Sequence, residues 1–88
     1  MKVGSNNPEV FSNNIRFLRR RKKLSRAKFA QYIDINLNQL YCIEVEVISH
    51  IHYKALNNLI EIYGISGNEI LSEDLEKKYA GKRLPYSR

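Results

Sequence analysis

The sequence predicts an all-α fold, a compact bundle of four to five short helices. Apolar residues recur at intervals of three and four along most of the chain, and no stretch outside residues 45–53 alternates as a strand does. Capping and stopping residues fall between the periodic segments, where helix boundaries require them. With 88 residues, the chain can enclose one core but not a cleft between two lobes.

The elements follow in order. Asn7 suits an N-cap with Pro8 at the first helical position, and Phe11, Ile15 and Leu18 then share one face. This first helix is expected to end near Lys22 or Lys23, with Leu24 entering the core. Ser25 caps a second helix whose inward stripe is Phe29, Ala30 and Ile33. Asp34 turns the chain. Asn36 caps a third helix, residues 36–44, which buries Leu40 and Ile43 together with Ile35 from the turn. Ser49 suits the cap of a fourth helix carrying Tyr53, Leu56, Leu59, Ile60 and Tyr63, which Gly64 stops. After Ser66 the last stripe is Ile70, Leu71, Leu75 and Tyr79, with acids early and Lys77 and Lys78 late, the order a helix dipole favours. That stripe has no evident partner within the chain. Residues 1–8 read as a flexible leader, 9–76 as the folded domain and 77–88 as a loose basic tail.

Charge is segregated along the chain. Residues 1–30 carry +8, residues 31–76 carry −7 and residues 77–88 carry +5, for a net +6. One face can therefore meet a polyanion while the remainder stays acidic. The lone Cys42 cannot form an internal disulfide, and no apolar run suits a signal peptide or a membrane span, so a cytoplasmic location is expected. His50 and His52 lack further ligands at useful spacing, and no nucleophile–base pair or Gly-rich phosphate loop is present. Neither catalysis, a metal nor a cofactor is expected.

Phe29, Ala30, Ile33, Ile35, Leu40 and Ile43, read within Arg26 to Val45, carry a likeness to a known family. They stand where the lambda-repressor-like (Xre/Cro-type) helix-turn-helix family places one small and five apolar residues, and the chain resembles that family over roughly residues 13–72. Arg19 and Glu44 occupy positions where members often hold a partly buried ion pair, and Leu56 to Ser66 resembles the family's fourth helix and its exit. Two departures stand out. Asp34 takes a turn position usually held by glycine with positive φ, and Val45-Glu46-Val47-Ile48 replaces a polar, glycine-containing loop that approaches a phosphate.

The resemblance implies a double-stranded DNA-binding regulator, a repressor acting as a homodimer, with helix 36–44 in the major groove. Base contacts are then expected from Asn36, Leu37, Asn38, Tyr41 and Cys42. Asn38 can pair with N6 and N7 of adenine, and Leu37 can pack on a thymine methyl. Phosphate contacts are expected from Arg26 above all, with Lys28, Gln39, Arg20 and Lys23. Ile70, Leu71, Leu75 and Tyr79 are the first choice for the dimer interface, with Val45, Val47 and Ile48 the second. The main rival is a protein-interaction module that binds another regulator or a toxin through residues 45–51 and the C-terminal helix. Non-specific coating of nucleic acid by the basic ends is a third reading.

Overall fold

In the computed structural model, residues 7–46 and 51–85 are described. They form α1 (Pro8–Arg21), α2 (Arg26–Tyr32), α3 (Leu37–Tyr41), a π-helical turn (Cys42–Glu46), α4 (Tyr53–Tyr63), α5 (Gly67–Ser72) and α6 (Leu75–Lys78). The fold is all-α, and none of these helices is long and apolar enough to cross a membrane.

Local chemistry explains most boundaries. Asn7, Ser25, Asn36, Ser66 and Asp74 each accept a hydrogen bond from a backbone N–H in the first turn of the following helix. Asn36 with Gln39, and Ser66 with Glu69, close reciprocal capping boxes. Gly64 ends α4 at φ 69°, a left-handed conformation that glycine adopts without steric cost. Ser49 lies outside the described residues. His52 caps α4 instead, its Nδ1 accepting from the Ala55 N–H at 3.2 Å.

The turns after α1 and α2 share one geometry. Lys23 N–H donates to Arg20 C=O and Leu24 N–H to Arg19 C=O, at 3.0 and 3.3 Å. Asp34 N–H donates to Gln31 C=O and Ile35 N–H to Ala30 C=O, at 3.2 and 3.0 Å. Both are Schellman motifs, and each puts a non-glycine residue at positive φ, Lys23 at 58° and Asp34 at 59°. Asp34 is at the turn position expected from the sequence, whereas Lys23 carries no such local signal.

α1 crosses the core, burying Phe11, Ile15 and Leu18 against the π turn, α5 and α6. α4 contributes Ala55, Leu56, Leu59 and Tyr63, whereas Tyr53, expected on that stripe, is the first residue of the helix and 55% exposed. The last predicted helix is two, broken at Glu73, where the backbone is extended. Ile70, Leu71 and Leu75 are buried and Tyr79 half-buried against the core. Ile70, Leu71 and Leu75 are therefore interior packing, not the free dimer surface expected from the sequence, and α1 and α4 are the helices that receive α5. The side chain of Asn14 makes this possible. Its Nδ2 donates to the Ile70 and Glu73 carbonyls at 2.7 and 2.8 Å, and its Oδ1 accepts from the Leu75 N–H at 3.0 Å. One buried amide thus satisfies the backbone groups exposed by the break.

Arg21 donates to the carbonyls of Tyr79 (3.1 Å) and Lys82, and Leu84 packs half-buried against the core. Val45 and Glu46 belong to the π turn and not to a strand; Val47 and Ile48 lie outside the described residues.

Candidate nucleic-acid interface

Two short helices cannot hold a fixed angle on propensity alone; burial and buried polar links must supply it. Between α2 and α3, Phe29, Ile33 and Leu40 are fully buried, and Ala30, Ile35 and Ile43 nearly so. These are the six positions that carry the family likeness. Asn58 of α4 donates from Nδ2 to the Ile33 carbonyl at 2.7 Å, satisfying the C-terminal end of α2.

Behind α3 the decisive group is Glu44, whose side chain is 0% exposed. Arg19 grips it with two bonds, Nε to Oε2 at 2.8 Å and Nη2 to Oε1 at 3.0 Å, and its Nη1 also donates to the Leu24 carbonyl at 3.2 Å. The expected ion pair is therefore present. A third group joins it, because Arg26 Nε donates to Glu44 Oε1 at 3.1 Å. The Glu44 carbonyl accepts in turn from Ser12 Oγ at 3.3 Å and from Arg16. α1, α2 and the π turn are thus tied at one residue, by charge-assisted bonds that fix direction as well as distance.

This arrangement qualifies the part expected of Arg26. Its Nε is committed to Glu44, and its guanidinium lies 5.6 Å from the ring centroid of Tyr41. The side chain is still 36% exposed. Arg26 therefore both braces the scaffold and presents a cation beside the outer face of α3.

Asn36, Leu37, Asn38 and Tyr41 are all exposed on that face. Asn36 Oδ1 accepts from the Gln39 N–H at 2.8 Å, and Gln39 Oε1 accepts from the Asn36 N–H at 3.0 Å, so both side chains are primarily caps. Asn38 has no side-chain hydrogen bond among the described residues and keeps both amide donor and acceptor outward. Cys42 is half-buried, and hydrogen bonding to the Glu46 side chain, then burial, then the charge of Glu46 push its thiol upward.

Among the expected phosphate contacts, Lys23 and Lys28 are exposed. Arg20 lines a depression of about 310 Å³ together with Asp74 and Glu76, whose charges oppose its own. Leu37, Tyr41 and Val45, spaced four apart, are 50%, 42% and 48% exposed and make the outer face partly apolar.

Several organising residues had no place in the sequence reading. Ser12 and Asn14 are polar, yet buried on the inward side of α1, and Asn58 is a side-chain cap supplied from a distant helix. Their one legible signal is a polar residue at a position where helical spacing demands an apolar one. No family model, curated protein or solved structure matches the chain.

Proposed function

We propose that the chain is a sequence-specific double-stranded DNA-binding transcriptional regulator, a repressor that places the helix beginning at Leu37 in the major groove. The observation that carries this reading is the exposed first turn of α3, with the Arg26 guanidinium 5.6 Å over Tyr41 on the same outer face. Asn38 supplies the donor and acceptor that adenine requires, and Leu37 supplies a surface for a thymine methyl. Arg26, Lys28 and Lys23 supply attraction that is independent of sequence. One such helix reads too few base pairs for a unique site, so the protein acts as a homodimer on half-sites about 34 Å apart. With Ile70, Leu71 and Leu75 buried, the dimer contact falls to the segment that begins at Val45.

Random-site selection from a duplex library at physiological salt tests this reading. The expected outcome is one A·T-biased palindrome, with log affinity falling against log salt at a slope of about −4 to −5 per subunit. Asn38→Ala should relax preference at one base pair at a cost of about 1–3 kcal/mol, and Arg26→Ala should weaken all sequences alike.

A second reading is favoured by a specific observation, the Leu37–Tyr41–Val45 stripe followed by the acid Glu46. An apolar stripe of this kind suits a protein partner, another regulator or a toxin, better than a phosphate backbone. The C-terminal helices pack one face on α1 and leave Glu76, Lys77 and Lys78 exposed on the other. Selection of no sequence, with duplexes ignored at moderate salt, would decide for this reading.

A further inference from the structure

An open cavity of about 700 Å³ lies between the C-terminal end of α1 and the segment after α6, and no residue of α3 lines it. Leu18 and Tyr63, both essentially inaccessible, form its floor, and Leu84 forms an apolar side. Arg21, Lys22 and Arg83 complete the lining, and no acid lines it among the described residues. Its size is within the range of small-molecule sites, and its combination of apolar floor and polar rim is the usual one.

Two features separate this cavity from a chance gap. Tyr63 is 1% exposed, and its hydroxyl is the one buried side-chain polar atom among the described residues that lacks a hydrogen-bond partner. Such groups are normally satisfied, because burying a hydroxyl unpaired is costly. Among the described residues, the cations around it also lack a compensating carboxylate. Arg21 donates to the carbonyls of Tyr79 and Lys82, which leaves its charge uncancelled, and the Lys22 ammonium lies 4.7 Å from the centroid of the Tyr32 ring.

We infer that this cavity binds a small organic carboxylate, the anion held by Arg83, Lys22 and Arg21 and the apolar body seated on Leu18 and Leu84. The Tyr63 hydroxyl then donates to the ligand at the inner wall. Charge selects an anion, the apolar floor selects against inorganic ions, and the fixed phenol favours an acceptor that reaches inward.

The test is titration of the full chain with benzoate, followed through the methyl resonances of Leu18 and Leu84 and by calorimetry, with benzamide and inorganic phosphate as comparisons. The expected result is saturable one-to-one binding of benzoate, shifts at both methyl groups, and no comparable binding of either comparison compound. Arg83→Glu should lower the affinity by about tenfold or more, as expected for loss of a charge-assisted contact. Lys54→Ala, which removes a cation outside the cavity, should leave the affinity unchanged. Tyr63→Phe should weaken benzoate about threefold to tenfold, while the free protein melts at the same or a higher temperature because an unpaired hydroxyl is gone. Non-saturating shifts, equal binding of phosphate, equal losses in Arg83→Glu and Lys54→Ala, or undiminished affinity in Tyr63→Phe would each overturn the assignment. DNA selection by the outer face of α3 is measured separately and stands or falls independently.

Discussion

Glu44→Gln keeps the shape of the side chain and removes the charge that three arginine hydrogen bonds share. In the folded protein that carboxylate is 0% exposed, with Arg19 16% and Arg26 36% exposed around it. Removing one partner of a buried ionic cluster costs about 3–5 kcal/mol when the remaining charges are fully sealed from water. Here both arginines retain some access to solvent, so the lower end applies, about 3 kcal/mol. For a chain of this size that is a large share of a total stability of about 5–10 kcal/mol. The melting temperature should fall by about 12–24 °C. Urea unfolding should show the midpoint moving with an unchanged m-value, which reports lost stability without a change in the surface exposed. Arg19→Ala should cost nearly as much as Glu44→Gln, since it takes both strands of the bidentate grip. Arg26→Ala should cost about 1 kcal/mol, because the bond it loses is single and more hydrated. A loss below about 1 kcal/mol for Glu44→Gln would refute the reasoning, as would an Arg26→Ala effect larger than that of Arg19→Ala.

Three other outcomes are expected. Lys23→Gly should stabilise the protein by about 0.5–1 kcal/mol in thermal unfolding, because Lys23 holds φ 58° and glycine does so without the Cβ clash; a loss of stability would show that its side chain matters more than its backbone. Asn14→Ala should cost about 2–4 kcal/mol by denaturant unfolding, since two buried backbone groups and one part-buried one lose their partner, and a near-neutral effect would mean those groups find others. Glu69 is held below the usual carboxylate range, first by its hydrogen bond to Lys78, which acts against desolvation, and further by bonds from Ser66 and the charge of Lys78. A lowered folded-state pKa gives stability that is present above the ordinary carboxylate range and lost as pH falls through the lowered value. Stability measured from about pH 7 down to about pH 3 should therefore decline, and Glu69→Gln should flatten that decline, an identical profile counting against the coupling.

Much of this architecture was legible because its signals are local. Asn7, Ser25, Asn36 and Ser66 act through hydrogen bonds to residues two or three positions away, and Asp34 and Gly64 through their own φ. The Arg19–Glu44 pair was visible through the family likeness alone, being 25 residues apart in sequence. What escaped reading depends on distant packing. Ile70, Leu71 and Leu75 looked unpartnered because the face of α1 that receives them includes a buried asparagine, which a periodicity of apolar residues cannot register. Arg26 read as a phosphate clamp because nothing in its neighbourhood in sequence announces a carboxylate 18 positions downstream. The face of α3 was read for its asparagines, and the apolar spacing of Leu37, Tyr41 and Val45 becomes evident only when the helix continues into the π turn.

The clasp made by Asn14 also bears on when this protein can become a folded object during its own synthesis. Its three partners are 56, 59 and 61 residues farther along the chain. Helices near the amino terminus therefore emerge from the ribosome long before the segment that closes over them, with Phe11 and Ile15 waiting uncovered. Any pause in translation before Leu75 has cleared the exit tunnel would leave a sticky, incomplete nascent domain.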